Sequence, residues 1–296
     1  SLCDMEELKK SKKLRSKKRV ERTTNAVVYV ILVIISIIWI IPYVYLIIQS
    51  LRAEPGAYIN YLLPKEWTFD NYIKLFTDTS LFDFPRWYLN TFVTALVVCV
   101  IQTTIVLATS YALSRLRFKG RKGLMNLFLV LGMFPGFMSM TAVYFVLKEI
   151  GLTQSLVGLI LVYVASSAMQ YYISKGYFDT IPKSLDEAAK IDGASRHTIF
   201  FKIILPLAKP IIVYTVLQAF LMPWGEYMFS SLLMLGDQTK FNVANGLRQM
   251  LQRENIAEYF TRFCAGAVLV SVPIAALFIW LQKYYVEGVT GGAVKG

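Results

Sequence analysis

Residues 26–49 carry no charged side chain, and a stretch of that length and apolarity does not suit the surface of a water-soluble domain. A helix needs roughly 20 residues to cross the hydrocarbon core of a bilayer, and this run meets that length. Further runs of similar character follow at 88–113, 123–147, 155–173, 209–235 and 263–281, and they account for a chain that is 56% hydrophobic. Lipid offers backbone groups no hydrogen bonds, so each run must satisfy its own as a helix. The fold class predicted is an all-α membrane protein with six transmembrane helices.

Charge sets the orientation. Basic residues crowd the segment from Lys9 to Arg22, ahead of the first run, and Arg115, Arg117, Lys119, Arg121 and Lys122 form a turn after the second. Cytoplasmic loops hold the excess of Lys and Arg, so both segments are expected inside, and six spans place both termini there, in the cell membrane. The net charge of +12 is thereby read as orientation against anionic lipid, and no nucleic-acid partner is expected. The organisation expected is a basic tail at 1–25, a membrane domain at 26–285 and a carboxy-terminal tail at 286–296, with external loops at 50–87 and 236–262. The first run lacks a small-residue cleavage site and reads as an uncleaved anchor. Phe134-Pro135-Gly136 predicts a kink in the third run, because proline removes an amide. Ser166, Ser167 and Gln170 in the fourth are expected to face other helices.

Between the fourth and fifth runs lies a charged island, IPKSLDEAAKIDGASRHTIFFKIILPLAKP at 181–210. Ser184 and Glu187 have the S-x-x-E spacing of a capping box, which predicts a helix starting at Ser184. Asp186 and Lys190 are spaced to pair at i,i+4, Leu185, Ala188 and Ala189 would form the buried stripe, and Gly193 would end the helix in a left-handed conformation. A second helix start is expected at Ser195. On charge pattern alone this is a cytoplasmic loop with a surface helix.

The order of residues says more. Glu187-Ala188-Ala189, then Asp192-Gly193-Ala194, then Ile203, Leu205 and Pro206, resembles the E-A-A-x-x-x-G and I-x-L-P loop of permease subunits in binding-protein-dependent ABC importers. LLPKEWTFDNY at 62–72 and the glycine-rich end YYVEGVTGGAVKG at 284–296 resemble the carbohydrate branch of that family, of maltose or maltodextrin type. The resemblance implies an importer permease fold in which the loop forms a cytoplasmic coupling helix docked on an ATPase. Its implied sites are Glu187, Ala188, Ala189, Asp192, Gly193 and Ala194. Its implied partners are a second, similar permease, two cytoplasmic ATPase subunits that hold the ATP and Mg, and an extracellular solute-binding protein that delivers an oligosaccharide.

The remaining chemistry is sparse. No G-x-x-x-x-G-K-[ST] motif is present, so the chain is expected to bind no ATP, to need no cofactor and to be no enzyme. The single histidine, His197, can build neither a His-containing triad nor a multi-histidine metal site, and Cys3, Cys99 and Cys264 have no metal-ligand spacing. In the fifth run, Gln218, Trp224, Glu226 and Tyr227 are candidates for the translocation path. A carboxylate there marks either a pathway or a structural pairing, and the aromatic pair suits a sugar or an interfacial belt. Two other readings are an ABC permease for a non-sugar solute and an ion-coupled secondary transporter. The latter would call for several embedded ionisable residues or two related halves with broken helices.

Overall fold

The computed structural model describes the backbone of residues 2–293 and the side chains of residues 20–284. The side chains of most of the expected amino-terminal tail, and of the whole tail at 286–296, lie outside the described residues. Among the described residues there is no strand, only one isolated antiparallel bridge between Arg52 and Trp67. The first helix, α1 (Leu2–Ser50), is apolar nearly all round from Ala26 onward and meets the rest of the protein at its carboxy-terminal end, where Gln49 and Ser50 are buried and α14 (Ile256–Ala293) packs against it. A helix without a polar face needs apolar surroundings on every side, which a bilayer supplies.

Asp83 caps α3 (Phe84–Arg115) by accepting the Arg86 amide, with Pro85 in the first turn where its missing N–H costs nothing. The second span therefore begins at Phe84, ahead of the expected 88. α3 is the helix against which the others assemble. At one end, the Trp87 indole donates to the Gln238 carbonyl (2.9 Å), the Asn90 amide to those of Thr239 and Phe241 (both 3.0 Å), and the Val243 amide donates to the Thr91 hydroxyl (2.7 Å). Along α7 (Ala168–Thr180) it is tied by the Gln102 amide donating to Ser167 (2.9 Å), Ser110 to the Tyr171 carbonyl (3.2 Å) and Ser114 to the Asp179 carboxylate (2.7 Å). Gln102, Ser110 and Ser114 share a face of α3, and Ser167 meets its expected helix-facing role.

Three helices are each long and apolar enough to cross a membrane, Val20–Ser50, Phe84–Arg115 and Ile256–Tyr284. Three bent pairs bring the number to six if each pair counts as one span. The expected kink at Pro135 is a full break of 102° between α4 (Arg121–Met133) and α5 (Gly136–Glu149). A second break of 42° at Ser166-Ser167 separates α6 (Leu156–Ala165) from α7. The short α2 (Asp70–Thr77) lies in the expected external loop, and Arg262 of α14 reaches the Asp78 carboxylate beyond its end at 2.8 Å, holding that carboxyl below its ordinary range.

The stretch 236–262 is mostly helical, with α13 (Val243–Met250) packed against α3 and α14, and the helix that carries the last apolar run starts at Ile256, ahead of the run itself at 263. The fifth run is also interrupted: α11 (Lys209–Gly225) stops at Glu226 and α12 (Met228–Met234) restarts. Glu258 and Arg262, taken as loop charges, stand within the first turns of α14.

Candidate functional site

The island folds as α8 (Ser184–Ile191), a short second helix α9 (Arg196–Thr198), a π-helical turn at Ile199–Ile204 and α10 (Leu205–Leu207), after which the chain bends by 83° into α11. Gly193 has a φ of +78°, the Gly193 amide donates to the Lys190 carbonyl (3.0 Å) and the Ala194 amide to that of Ala189 (2.9 Å). That pair of bonds is the Schellman arrangement, and it accounts for Gly193 at this position. Ser195 caps the second start by accepting the Thr198 amide, as expected.

The amino-terminal end of α8 differs from expectation. Lys183 already has helical angles (φ −68°, ψ −21°), no side chain caps the helix, and the Glu187 amide bonds the Lys183 carbonyl. Pro182 starts the turn one residue early, so Ser184 lies inside the helix with its hydroxyl off the cap position, and the capping box does not form. The buried stripe also differs. Asp186 and Ala189 face inward, whereas Leu185, Glu187, Ala188, Asp192 and Gly193 are exposed and Ile191 is 86% exposed. Ala189 sits on its own apolar cluster with Leu107, Phe178, Ile199, Ile204 and Ile211.

Asp186 does not use Lys190. It makes an ion contact with Arg115, the last residue of α3, Nε to Oδ2 at 3.1 Å, with both side chains more than nine-tenths buried. Tyr111, one turn earlier on α3, offers its hydroxyl to the other carboxylate oxygen (3.4 Å), and Arg115 donates from Nη2 to the Ile181 carbonyl at the end of α7 (3.0 Å). Arg115, Asp186, Lys190 and Arg196 line one cavity of about 380 Å³. The sequence placed Arg115 only within a basic turn, and nothing in the spacing of Arg115 and Asp186 marks them as partners.

The translocation-path candidates are not gathered into one surface. Gln218 is exposed on α11, while Trp224 is 3% exposed and packs in an aromatic cluster with Tyr88, Phe92 and Phe220. Tyr227 takes the N-cap position of α12, and Glu226 precedes it. The Glu226 carboxylate accepts the amides of Phe229 (2.7 Å) and Ser230 (2.9 Å) and the hydroxyl of Tyr163 from α6 (2.9 Å). Its own carbonyl accepts the Asn242 side-chain amide at 2.6 Å, while the Asn242 side-chain oxygen (Oδ1) caps α13 by accepting the Asn245 amide. A carboxylate so engaged serves a helix start, the structural pairing that the sequence allows beside a pathway role.

Comparison with known proteins places these features in a family. The family described as the binding-protein-dependent transport system inner membrane component matches residues 104–291. The chain is 40% identical to the galactooligosaccharides transport system permease protein of Bacillus subtilis, over 79% of this chain and 83% of that protein. It is 37% identical to the maltodextrin transport system permease protein of Bacillus subtilis, over 90% and 95% of the two chains. It is 36% identical to the maltodextrin transport system permease protein of Streptococcus pneumoniae, over 93% and 97%. Among solved structures, it shares its fold with a chain of a bacterial ABC transporter involved in the import of the acidic polysaccharide alginate, with a TM-score of 0.74 over 90% of this chain and 98% of that one, at 24% identity.

Proposed function

Because this chain belongs to the binding-protein-dependent transport system inner membrane components, we propose that it is the permease subunit of an ABC importer for an oligosaccharide of maltodextrin-like class. The observation that carries the reading is α8: a polar helix with Glu187, Ala188 and Ile191 exposed on one side and Asp186 and Ala189 anchored on the other. Such a helix is built to be pushed from outside and to transmit the push inward. The pushing partner would be an ATPase pair that holds ATP and Mg, so this chain performs no chemistry itself. A second, similar permease would complete the pathway, with the amino and carboxy ends of the chain on the ATPase side and an extracellular binding protein delivering the sugar. The names of these three relatives and the segment at 62–72 both support a sugar cargo.

The test is reconstitution of the complex with its ATPase and binding protein in proteoliposomes, offering maltodextrins, galactooligosaccharides, amino acids and phosphate in turn. Stimulated ATP hydrolysis and uptake with an oligosaccharide are expected. A response to an amino acid or phosphate alone would replace the cargo assignment. Uptake driven by an ion gradient without ATP would replace the class.

A further inference from the structure

We infer that the Arg115–Asp186 ion pair is the joint through which movement of α8 enters the membrane helices, so that α8 and α3 travel as one body during transport. The inference rests on the reading of α8 as the helix that the ATPase moves.

The covalent route from α8 into the membrane is indirect on both sides. Toward α11 the chain passes Gly193 in a left-handed conformation, a π-helical turn and an 83° bend at Ala208. Toward α7 it passes Pro182 and then the extended residue Ile181. The side-chain route is short and direct. Asp186 meets Arg115 at 3.1 Å, Tyr111 reaches the same carboxylate, and Arg115 also holds the Ile181 carbonyl. One turn of α3 therefore grips the end of α7 and the middle of α8 together, with Ser114 adding its bond to Asp179.

Burial gives the pair its meaning. Lys190, one helical turn from Asp186, and Arg196 are both exposed and line the same cavity, so solvated cations were available to this carboxylate. A buried pair gains little stability over such an arrangement, because desolvation offsets the attraction between the charges. What it provides is a single relative position of two elements. The element gripped is the one that packs against α6, α7, α11 and α13, so displacement at Arg115 reaches the centre of the assembly at once. Arg115 and Asp186 are positioning residues: they touch neither ATP nor sugar.

The test uses the whole complex in proteoliposomes. Asp186→Asn and Arg115→Met should still co-purify with the ATPase, while sugar moved per ATP hydrolysed falls about tenfold, the scale of a typical coupling between sites. Arg115→Asp combined with Asp186→Arg should recover part of that loss, which a purely local packing role would not produce. Single variants that retain the ATPase and transport as many sugars per ATP as the wild type would overturn the inference. A second measurement needs no altered pair: spin labels at Thr104 of α3 and Leu185 of α8, with the native cysteines replaced, should keep one distance in the nucleotide-free and ATP-bound complexes. A distance that changes between those states overturns the joint even where transport is normal. A wild-type complex whose ATP hydrolysis ignores the loaded binding protein would instead sink the transport reading, and the joint with it.

Discussion

Gly193 and Glu187 separate two kinds of contribution at single positions. Gly193 holds φ at +78°, where a β-branched side chain is strained by about 1–2 kcal/mol, although open space surrounds the position. Gly193→Val is therefore expected to tilt or fray the end of α8 without unfolding the protein, and to weaken retention of the ATPase on a purification column. Glu187 is exposed and caps nothing, so Glu187→Ala should change thermal stability by no more than about 0.5 kcal/mol. Any fall in its uptake then reports lost docking alone, and wild-type uptake in both variants would reduce α8 to a surface helix. Glu226 makes the opposite forecast. Gln in its place keeps one oxygen and turns an N–H toward donors, so Glu226→Gln should lower stability by about 1 kcal/mol, read as a lower thermal midpoint in detergent. An unchanged midpoint with altered sugar selectivity would return this carboxylate to the pathway.

At the scale of elements, α13 was the least visible in the sequence, because its stretch looked like a charged loop between two apolar runs. Read as a helix, Val243, Gly246, Leu247 and Met250 form one buried face, and Arg248 points away. Gly246 lies flat against the Trp87 ring, so a methyl group there would overlap the indole. Gly246→Ala should cost about 1–3 kcal/mol through overpacking, measured as a loss of thermal stability, and a neutral result would mean that α13 does not dock on α3 as described. Arg248 and Arg253 remain exposed near one another in sequence and suit contact with an incoming binding protein. Reversing both charges should lower binding-protein-stimulated ATP hydrolysis, with the difference shrinking at high salt as screening removes the interaction in the wild type as well.

For the molecule as a whole, the distribution of basic residues predicts which side each turn occupies. Single cysteines at Lys119 and Thr79, both exposed positions, should respond differently to an impermeant thiol reagent applied outside intact cells: Thr79→Cys is modified and Lys119→Cys is not. Modification of the latter would overturn the expected six-span orientation. The helical class, the approximate position of every apolar run, a kink at Pro135 and the glycine-ended helix at Gly193 are legible in the chain, because each follows from local apolarity or a local backbone requirement. The break of the fifth run at Glu226, the packed helix α13 and the turn of Asp186 away from Lys190 toward Arg115 emerge only once the helices are assembled. Those outcomes depend on partners distant in sequence: Tyr163 for Glu226, Trp87 for Gly246 and Arg115 for Asp186. An i,i+4 rule counts only the neighbours a helix provides for itself, and it cannot weigh them against a buried charge contributed by another helix.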